Sequence, residues 1–336
     1  MNRLTDCIIN KKSSLLPVWF MRQAGRYLPE FREIRQQNQD FIKLCCDVNL
    51  VKEITLQPIK RFDLDAAIIF SDILMVPFGL GQNVKFKKNY GPSLEELDLD
   101  KILNCKEETF IKKLKPVYEA ISSVKKNLNN KSCIGFVGAP WTILVYMINK
   151  KSPKQDFNFE NLIKDEYIIL KLFEKIKKMI SIHIRKQIEA GADIIQIFDS
   201  WAGLIPEKNL KKYCYEPNFF IKDSLKKTKV PLIFFPKGIK KNYLNFCDEV
   251  KPDCINIDPD IDPEWAKKNF NQIPIQGGLD PKTLLKDEDT VKKEVKNYIN
   301  IFSDYPYIFN LGHGVLPQTK VETVKLITEI VQGKRK

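Results

Sequence analysis

The chain has 336 residues, 43% hydrophobic and 11% aromatic, which supplies a sizeable core and excludes a disordered protein. The formal net charge of +13 suits nucleic acid or an anionic small molecule, but Lys is spread over nearly every helical segment beside Ile and Asn, so it reads as general composition and no nucleic-acid partner is expected. No apolar run reaches the roughly 18–20 residues that span a bilayer, and the N-terminus lacks the compact apolar stretch of a secretory signal, so a cytoplasmic protein with no membrane partner is expected.

The first feature in chain order is FMRQAGRYLPEFREIR, residues 20–35. It holds Arg22, Arg26, Arg32 and Arg35, half of the eight Arg among 55 basic residues. Arg32 lies near Glu30 and Glu33 and reads as part of a solvated charged face. Arg22 and Arg26 have Trp19, Phe20, Met21, Ala24, Gly25 and Tyr27 as neighbours. A guanidinium kept among such groups needs an anion, because an unpaired buried charge is costly. Arg is used over Lys where a planar, bidentate grip on a carboxylate or phosphate is wanted. Pro29 can open a helix at its first position, and Arg35 would then project from the second turn within reach of the same pocket. The segment reads as a site for several carboxylates or phosphates.

Short apolar runs follow, each entered after a helical pattern and left through a polar or Gly-rich turn. They are AAIIF (66–70), CIGFV (133–137), DIIQIF (193–198), PLIFF (231–235), CINI (254–257), IPIQ (273–276) and YIFNL (307–311). Continuous runs of this length suit strands buried on both faces in a parallel sheet. Gly138, Gly203, Gly238, Gly277, Gly278, Gly312 and Gly314 fall at or just beyond their C-terminal ends, half of only 14 Gly. Seven βα-type units with no low-complexity linker predict a single α/β domain over residues 1–336, a (β/α)8 TIM-type barrel. Its eighth strand would be irregular or hidden in PVWF (17–20); an open doubly wound sheet is the alternative. The stretches 82–130 and 150–161 read as insertions or lid-like loops, and the terminal GKRK as a solvated end.

In such a barrel the chemistry gathers at the C-terminal ends of the strands. Asp72 follows the first run, as a helix cap, a partner for Arg61, or a carboxylate at the mouth. Ser200 follows the third run, as a helix cap or a site hydroxyl. Of the two His, His183 lies near an apolar helical stripe and reads as packed, while His313 sits between two Gly after the last run and can donate a hydrogen bond or a proton. The eight Cys are scattered without Cys-x-x-Cys, so reduced thiols are expected and no metal site. GLGQNV lacks the third Gly of a dinucleotide fingerprint, and no phosphate-loop, zinc-helix or nucleophile-elbow pattern occurs.

PVWFMRQAGRYLPEFREIR closely resembles the N-terminal signature of the uroporphyrinogen decarboxylase family. GFVGAPWTILVYMINK (135–150) resembles its second signature, and FSDIL (70–74), IFDSWAG (197–203) and NLGHGVLP (310–317) occur in the expected order. The resemblance covers nearly the whole chain. It implies a distorted barrel, a homodimer, and removal of CO2 from the four acetate arms of uroporphyrinogen III to give coproporphyrinogen III, without cofactor or metal. It further implies that Arg22 and Arg26 grip substrate carboxylates, that Gln23, Ala24 and Gly25 line the pocket through backbone groups, and that Arg35 is a further carboxylate partner. Tyr146, Ser200 and His313 match the family's polar contacts, and Asp72 its central carboxylate. Catalytic roles would fall on Asp72, Arg22, Tyr146 and His313, with the proton donor open among an Arg, a water and His313. The chain departs from the family pattern at Ile143, at Asn149, at Gly278, where Asn is common, and at Pro259, where Trp is expected. Two other readings are a zinc- and corrinoid-linked methyltransferase on the same barrel and a non-catalytic anion- or nucleic-acid-binding protein.

Overall fold

Each of the seven apolar runs forms a parallel strand in the computed structural model, which describes residues 2–11, 16–87 and 91–334. The strands are β1 (Ala66–Ile68), β4 (Ser132–Gly138), β5 (Ile194–Asp199), β6 (Leu232–Pro236), β7 (Cys254–Ile257), β8 (Ile275–Gly277) and β9 (Tyr307–Ile308); β2 (Val84–Lys87) and β3 (Gly91–Leu94) form a separate antiparallel hairpin. The main sheet runs β1-β4-β5-β6-β7-β8-β9. PVWF closes it: Val18 bridges Phe309 in parallel, the Phe309 N–H donates to Pro17 O at 2.8 Å, and the Asp65 N–H donates to Val18 O at 2.9 Å. Pro17 has no N–H, and on the β1 side the Asp65 carboxylate accepts the Val18 N–H at 2.9 Å where a regular ladder would offer a carbonyl. The eighth strand is therefore reduced to a single bridge, and the barrel is distorted there.

The interior is filled from below. Leu4, Cys7 and Ile8 of the helix Arg3–Ile9 pack against Ile134, Ile194, Ile233, Cys254 and Ile308. Thr5 lies against Ser132 and Cys7 against the Tyr307 carbonyl, so this helix closes the N-terminal end of the barrel. Inside, the Gln276 side chain donates to Gln196 and Asn256 and accepts from the Trp19 indole, a buried polar layer whose members hold one another. With the N-terminal end of the interior closed, the C-terminal ends of the strands are the end at which a barrel binds its ligand.

The stretch 82–130 contains more order than a lid. Glu107–Lys125 is a long helix packed on the helices Val48–Phe62 and Glu166–Glu189, with Phe110, Leu114, Val117, Ile121 and Val124 buried at helical spacing. Pro116 inside it interrupts the helical pattern in the sequence, and the tertiary packing of that stripe overrides it. Residues 150–161, read as an insertion or lid-like loop, are tied at their start to the hairpin: Lys151 bridges Ser93, and the Leu94 N–H donates to Lys150 O at 2.8 Å. His183 is buried, bonds the Tyr118 hydroxyl at 3.0 Å and is pushed down to about 3 by burial, as a packed residue should be. Gly333 and Lys334 of the terminal GKRK are exposed or nearly so; Arg335 and Lys336 lie outside the described residues. Among the described residues no helix is long and apolar enough to cross a membrane.

Candidate active site

Asp72 stands just beyond β1, where the chain turns toward the helix Met75–Leu80. Its Oδ1 accepts the Leu74 N–H at 2.8 Å, while its Oδ2 has no hydrogen bond among the described residues. Two of its three expected roles thus separate: one oxygen fixes the turn, and the other is available. Arg61 is not its partner, because Arg61 forms a bidentate pair with Glu30 at 2.9 and 3.0 Å. Asp72 is half-buried in a recess; burial pushes its carboxyl up to about 6, opposed by the Leu74 N–H and by the nearby Arg22 charge.

Arg22 lies in the turn that leaves the barrel after Trp19, with φ of 60°, a left-handed conformation that is uncommon for a residue with a side chain. The turn is tightly tied. The Met21 N–H donates to the Asn310 side chain at 3.1 Å, and the Val315 N–H donates to Met21 O at 2.9 Å. Arg22 and Arg26 are both exposed, which corrects the expectation that their apolar neighbours keep the guanidinium groups inside. Trp19, Phe20, Met21 and Tyr27 do enter the core, but the turn carries the charged ends out to the mouth, where water replaces a missing anion. Neither Arg has a carboxylate within ion-pair distance among the described residues. Arg32 is more than a solvated charge: its guanidinium donates to the carbonyls of Arg26 and Tyr27 at 2.9 and 3.1 Å and braces this loop.

Gln23 is also a brace, which corrects its expected role as a backbone ligand. Its N–H donates to Phe20 O, its carbonyl accepts the Tyr27 hydroxyl at 2.7 Å, and its side chain spans from the Phe20 N–H to the Ala66 carbonyl. The N–H groups of Ala24, Gly25 and Arg26 make no hydrogen bond among the described residues, so these are the donors that the loop leaves open.

Gly314 explains why the last motif needs two glycines. A Cβ there would lie 2.4 Å from Arg22 Cδ and 2.6 Å from its Cγ, so the Arg22 stem passes directly over the missing side chain. Gly314→Ala is expected to move Arg22 and lower kcat/KM by roughly 100-fold with the fold intact. Steady-state kinetics alongside circular dichroism checks this, and near-normal kinetics would show that the Arg22 position is unimportant.

Tyr146 projects from the helix Pro140–Asn149, its hydroxyl 3.4 Å from Ser152 Oγ and its ring 6.0 Å from Trp201. Burial raises its phenol; the Ser152 and Trp201 side chains and the Arg22 charge oppose this, and the Asp72 charge adds to it. His313 is half-buried and pushed down to about 4 by burial and by the Lys237 and Arg22 charges, so its imidazole is neutral near pH 7. Ser200 is half-buried and its hydroxyl bonds nothing among the described residues, so the capping role fails. Arg35 is set apart. It donates to the Asn38 carbonyl and lies over the Phe41 ring, and it is not among the charges that shift the Asp72 carboxyl. The half-buried rings of Phe136 and Phe198, 5.7 Å apart at the top of the barrel interior, form an apolar floor.

Three groups carry no signal in the residue pattern. Asp199 is buried behind Ser200, accepts from the Thr142 hydroxyl at 2.7 Å and is pushed up to about 6 by burial. Thr142 Oγ1 in turn accepts the Trp201 N–H at 3.0 Å, and the Trp141 indole donates to Trp201 O at 2.9 Å. The two residues of APWT thus clamp the turn that presents Ser200 and Trp201. The third is Lys237, just past β6. The departures at Gly278 and Pro259 are accommodated locally: Gly278 has φ of 95°, a conformation that favours Gly, and Pro259 lies where a Cβ on Gly312 would fall. Recesses of about 600 and 550 Å³ on the outer wall and lower end of the barrel contain none of these groups.

Residues 1–333 match the family model described as uroporphyrinogen decarboxylase. A uroporphyrinogen decarboxylase of Rickettsia bellii is 41% identical over 321 residues, covering 94% of each chain. One from Rickettsia akari is 38% identical over 338 residues, covering 99% of each. Among solved structures, a methyltransferase from Methanosarcina mazei superposes with a TM-score of 0.80 over 98% of this chain and 97% of its own at 15% identity, a likeness of the barrel fold alone. Among the described residues no group of three or more His, Cys, Asp or Glu is placed to hold a metal ion.

Proposed function

The chain belongs to the uroporphyrinogen decarboxylase family, and we propose that the mouth of its barrel removes CO2 from the four acetate arms of uroporphyrinogen III, giving coproporphyrinogen III. The observation that carries this is Asp72: one oxygen is held, the other makes no hydrogen bond among the described residues, and the charge of Arg22, itself without an ion pair among them, acts on the carboxyl.

The substrate is a flexible ring with four pyrrole N–H donors and eight carboxylates. Doming turns the four N–H groups toward one point, and an ionised carboxylate has about four acceptor sites. Asp72 takes the centre of the ring. Arg22 and Arg26 take carboxylate arms through bidentate pairs, and the open N–H groups of Ala24 and Gly25 add donors. Tyr146, Ser200 and His313 supply neutral hydrogen bonds around the rim, and Arg35 is a further partner on the Phe41 side.

The chemistry needs an electron sink, and the substrate supplies it. A proton adds to the pyrrole carbon beside an acetate arm and creates a cation. The carbon–carboxyl bond breaks and its electron pair forms an exocyclic methylene, neutralising the cation as CO2 leaves. A second proton on the methylene carbon gives the methyl, and loss of the first restores the pyrrole, so each arm takes up one proton net. Asp72 stabilises the cation more than the neutral ring, which is where rate is gained. His313 is neutral, so it positions an arm. His313→Gln is expected to cost at most about tenfold in kcat, as for one neutral hydrogen bond. A loss above about 10³-fold with an unchanged fold would instead make His313 the proton donor.

The resemblance also implies a homodimer in the cytoplasm; the eight free thiols fit a reducing compartment, and analytical ultracentrifugation measures the assembly. The test of the activity is anaerobic incubation with chemically reduced uroporphyrinogen and a chelator, followed by product mass. Stepwise loss of four CO2 is expected. A folded protein that leaves the substrate mass unchanged would overturn the assignment.

A further inference from the structure

We infer that Lys237 is a further substrate-binding residue, taking one side-chain carboxylate between Ser200 and His313. The inference rests on the carboxylate-rich substrate proposed above. Arg22 and Arg26 sit on the turn after PVWF, so they serve one side of the ring. The side formed by β5, β6 and β7 would otherwise offer only neutral groups to the arms that fall there.

Lys237 follows Pro236, the last residue of β6, and its backbone is fixed on both sides. Its N–H is shared between Asp199 O at 3.1 Å and Phe235 O at 3.0 Å, and its carbonyl accepts the Gly203 N–H at 2.9 Å. The loop that carries it crosses the Ser200 loop backbone to backbone. A Cβ on Gly203 would fall 2.8 Å from Gly238 O, and Gly238 itself has φ of 85°. From the other side, Asp258 of the loop after β7 accepts the Gly238 N–H at 2.7 Å and the Tyr243 hydroxyl at 2.8 Å. Four residues, Asp199, Gly203, Phe235 and Asp258, from the ends of three strands thus hold one turn.

The side chain is half-buried and free. Its ammonium has no carboxylate within ion-pair distance among the described residues, although Asp258 is close by and already holds two hydrogen bonds. Lys237 follows the C-terminal end of β6, the same end of the barrel from which the Ser200 and His313 loops leave, and its charge helps hold the His313 imidazole below its ordinary range. A rigid turn that holds an unpaired cation beside two neutral hydrogen-bonding groups is suited to one more anion.

The test is the anaerobic assay on Lys237→Met, Lys237→Gln and Lys237→Arg. Lys237→Met is expected to raise KM for uroporphyrinogen roughly 10- to 100-fold with a smaller change in kcat. Lys237→Arg should recover most of it, and added salt should raise KM more in the wild type than in Lys237→Met. Lys237→Gln repeats the comparison should the Met variant not fold. A purely structural lysine would lower kcat and stability together and would not be rescued by Arg. If the wild type turns over and both neutral variants keep its KM, the assignment of Lys237 falls while the activity stands. If the wild type does not turn over, the activity falls; fluorescence titration with oxidised uroporphyrin then reads Lys237 alone, and equal affinity in all four proteins would overturn it.

Discussion

Asp72→Asn is expected to lose roughly 10³-fold in kcat and, at the same time, to gain stability. The amide retains an oxygen for the Leu74 N–H, so the turn survives, but it cannot neutralise a developing pyrrole cation. The gain follows from the carboxyl's environment. Its pKa rises from 3.8 to about 6 on folding, chiefly through burial, so the native state is penalised when Asp72 ionises. Stability from this group is lost as pH rises through that interval and remains lost above it. At pH 7 the removable cost is up to about 3 kcal/mol. Urea unfolding should show Asp72→Asn more stable than wild type at pH 7 and the difference gone near pH 4. The same value sets activity in the opposite direction: kcat/KM of the wild type should fall with an apparent pKa near 6 as the pH is lowered. An active Asp72→Asn, or one destabilised at pH 7, would contradict this account.

Arg22→Lys is the second large effect, with kcat/KM down roughly 100-fold. The exchange keeps the charge and the left-handed backbone is no harder for Lys, so what is lost is the planar two-point grip on a carboxylate. Arg26→Lys should act in the same direction and mainly on KM, because the Arg22 charge acts on the Asp72 carboxyl whereas Arg26 is an exposed residue left to grip a carboxylate arm. A protein that only attracts anions would behave differently. It would tolerate both exchanges, and its binding would weaken steeply with salt in every variant. Kinetics of the two variants at two salt concentrations separate these cases, and wild-type kinetics in both would sink the bidentate reading.

The strands were legible because buried parallel strands need continuous apolar runs, and CINI became β7 residue for residue. The irregular closure at PVWF was also legible, since a proline in the run leaves one ladder hydrogen bond unmade. Less visible was anything decided by side chains from different strands. Asp199 ends β5 and its carboxylate goes back to Thr142, while Ser200 already belongs to the turn that follows. Nothing in IFDSWAG alone says which does which. Lys237 was hidden for a related reason. In a chain with so many lysines, one more after a strand carries no weight until its neighbours show that it has no ion-pair partner among the described residues. Arg22 and Arg26 illustrate the opposite failure: apolar neighbours suggested burial, but a tight turn separates the fate of a side chain from that of the residues beside it.

The most direct measurement is a crystal structure with reduced coproporphyrinogen bound under anaerobic conditions. The account requires the free oxygen of Asp72 within about 3 Å of the pyrrole nitrogens, with Arg22 on a side-chain carboxylate. A ring whose nitrogens face away from Asp72 would contradict it.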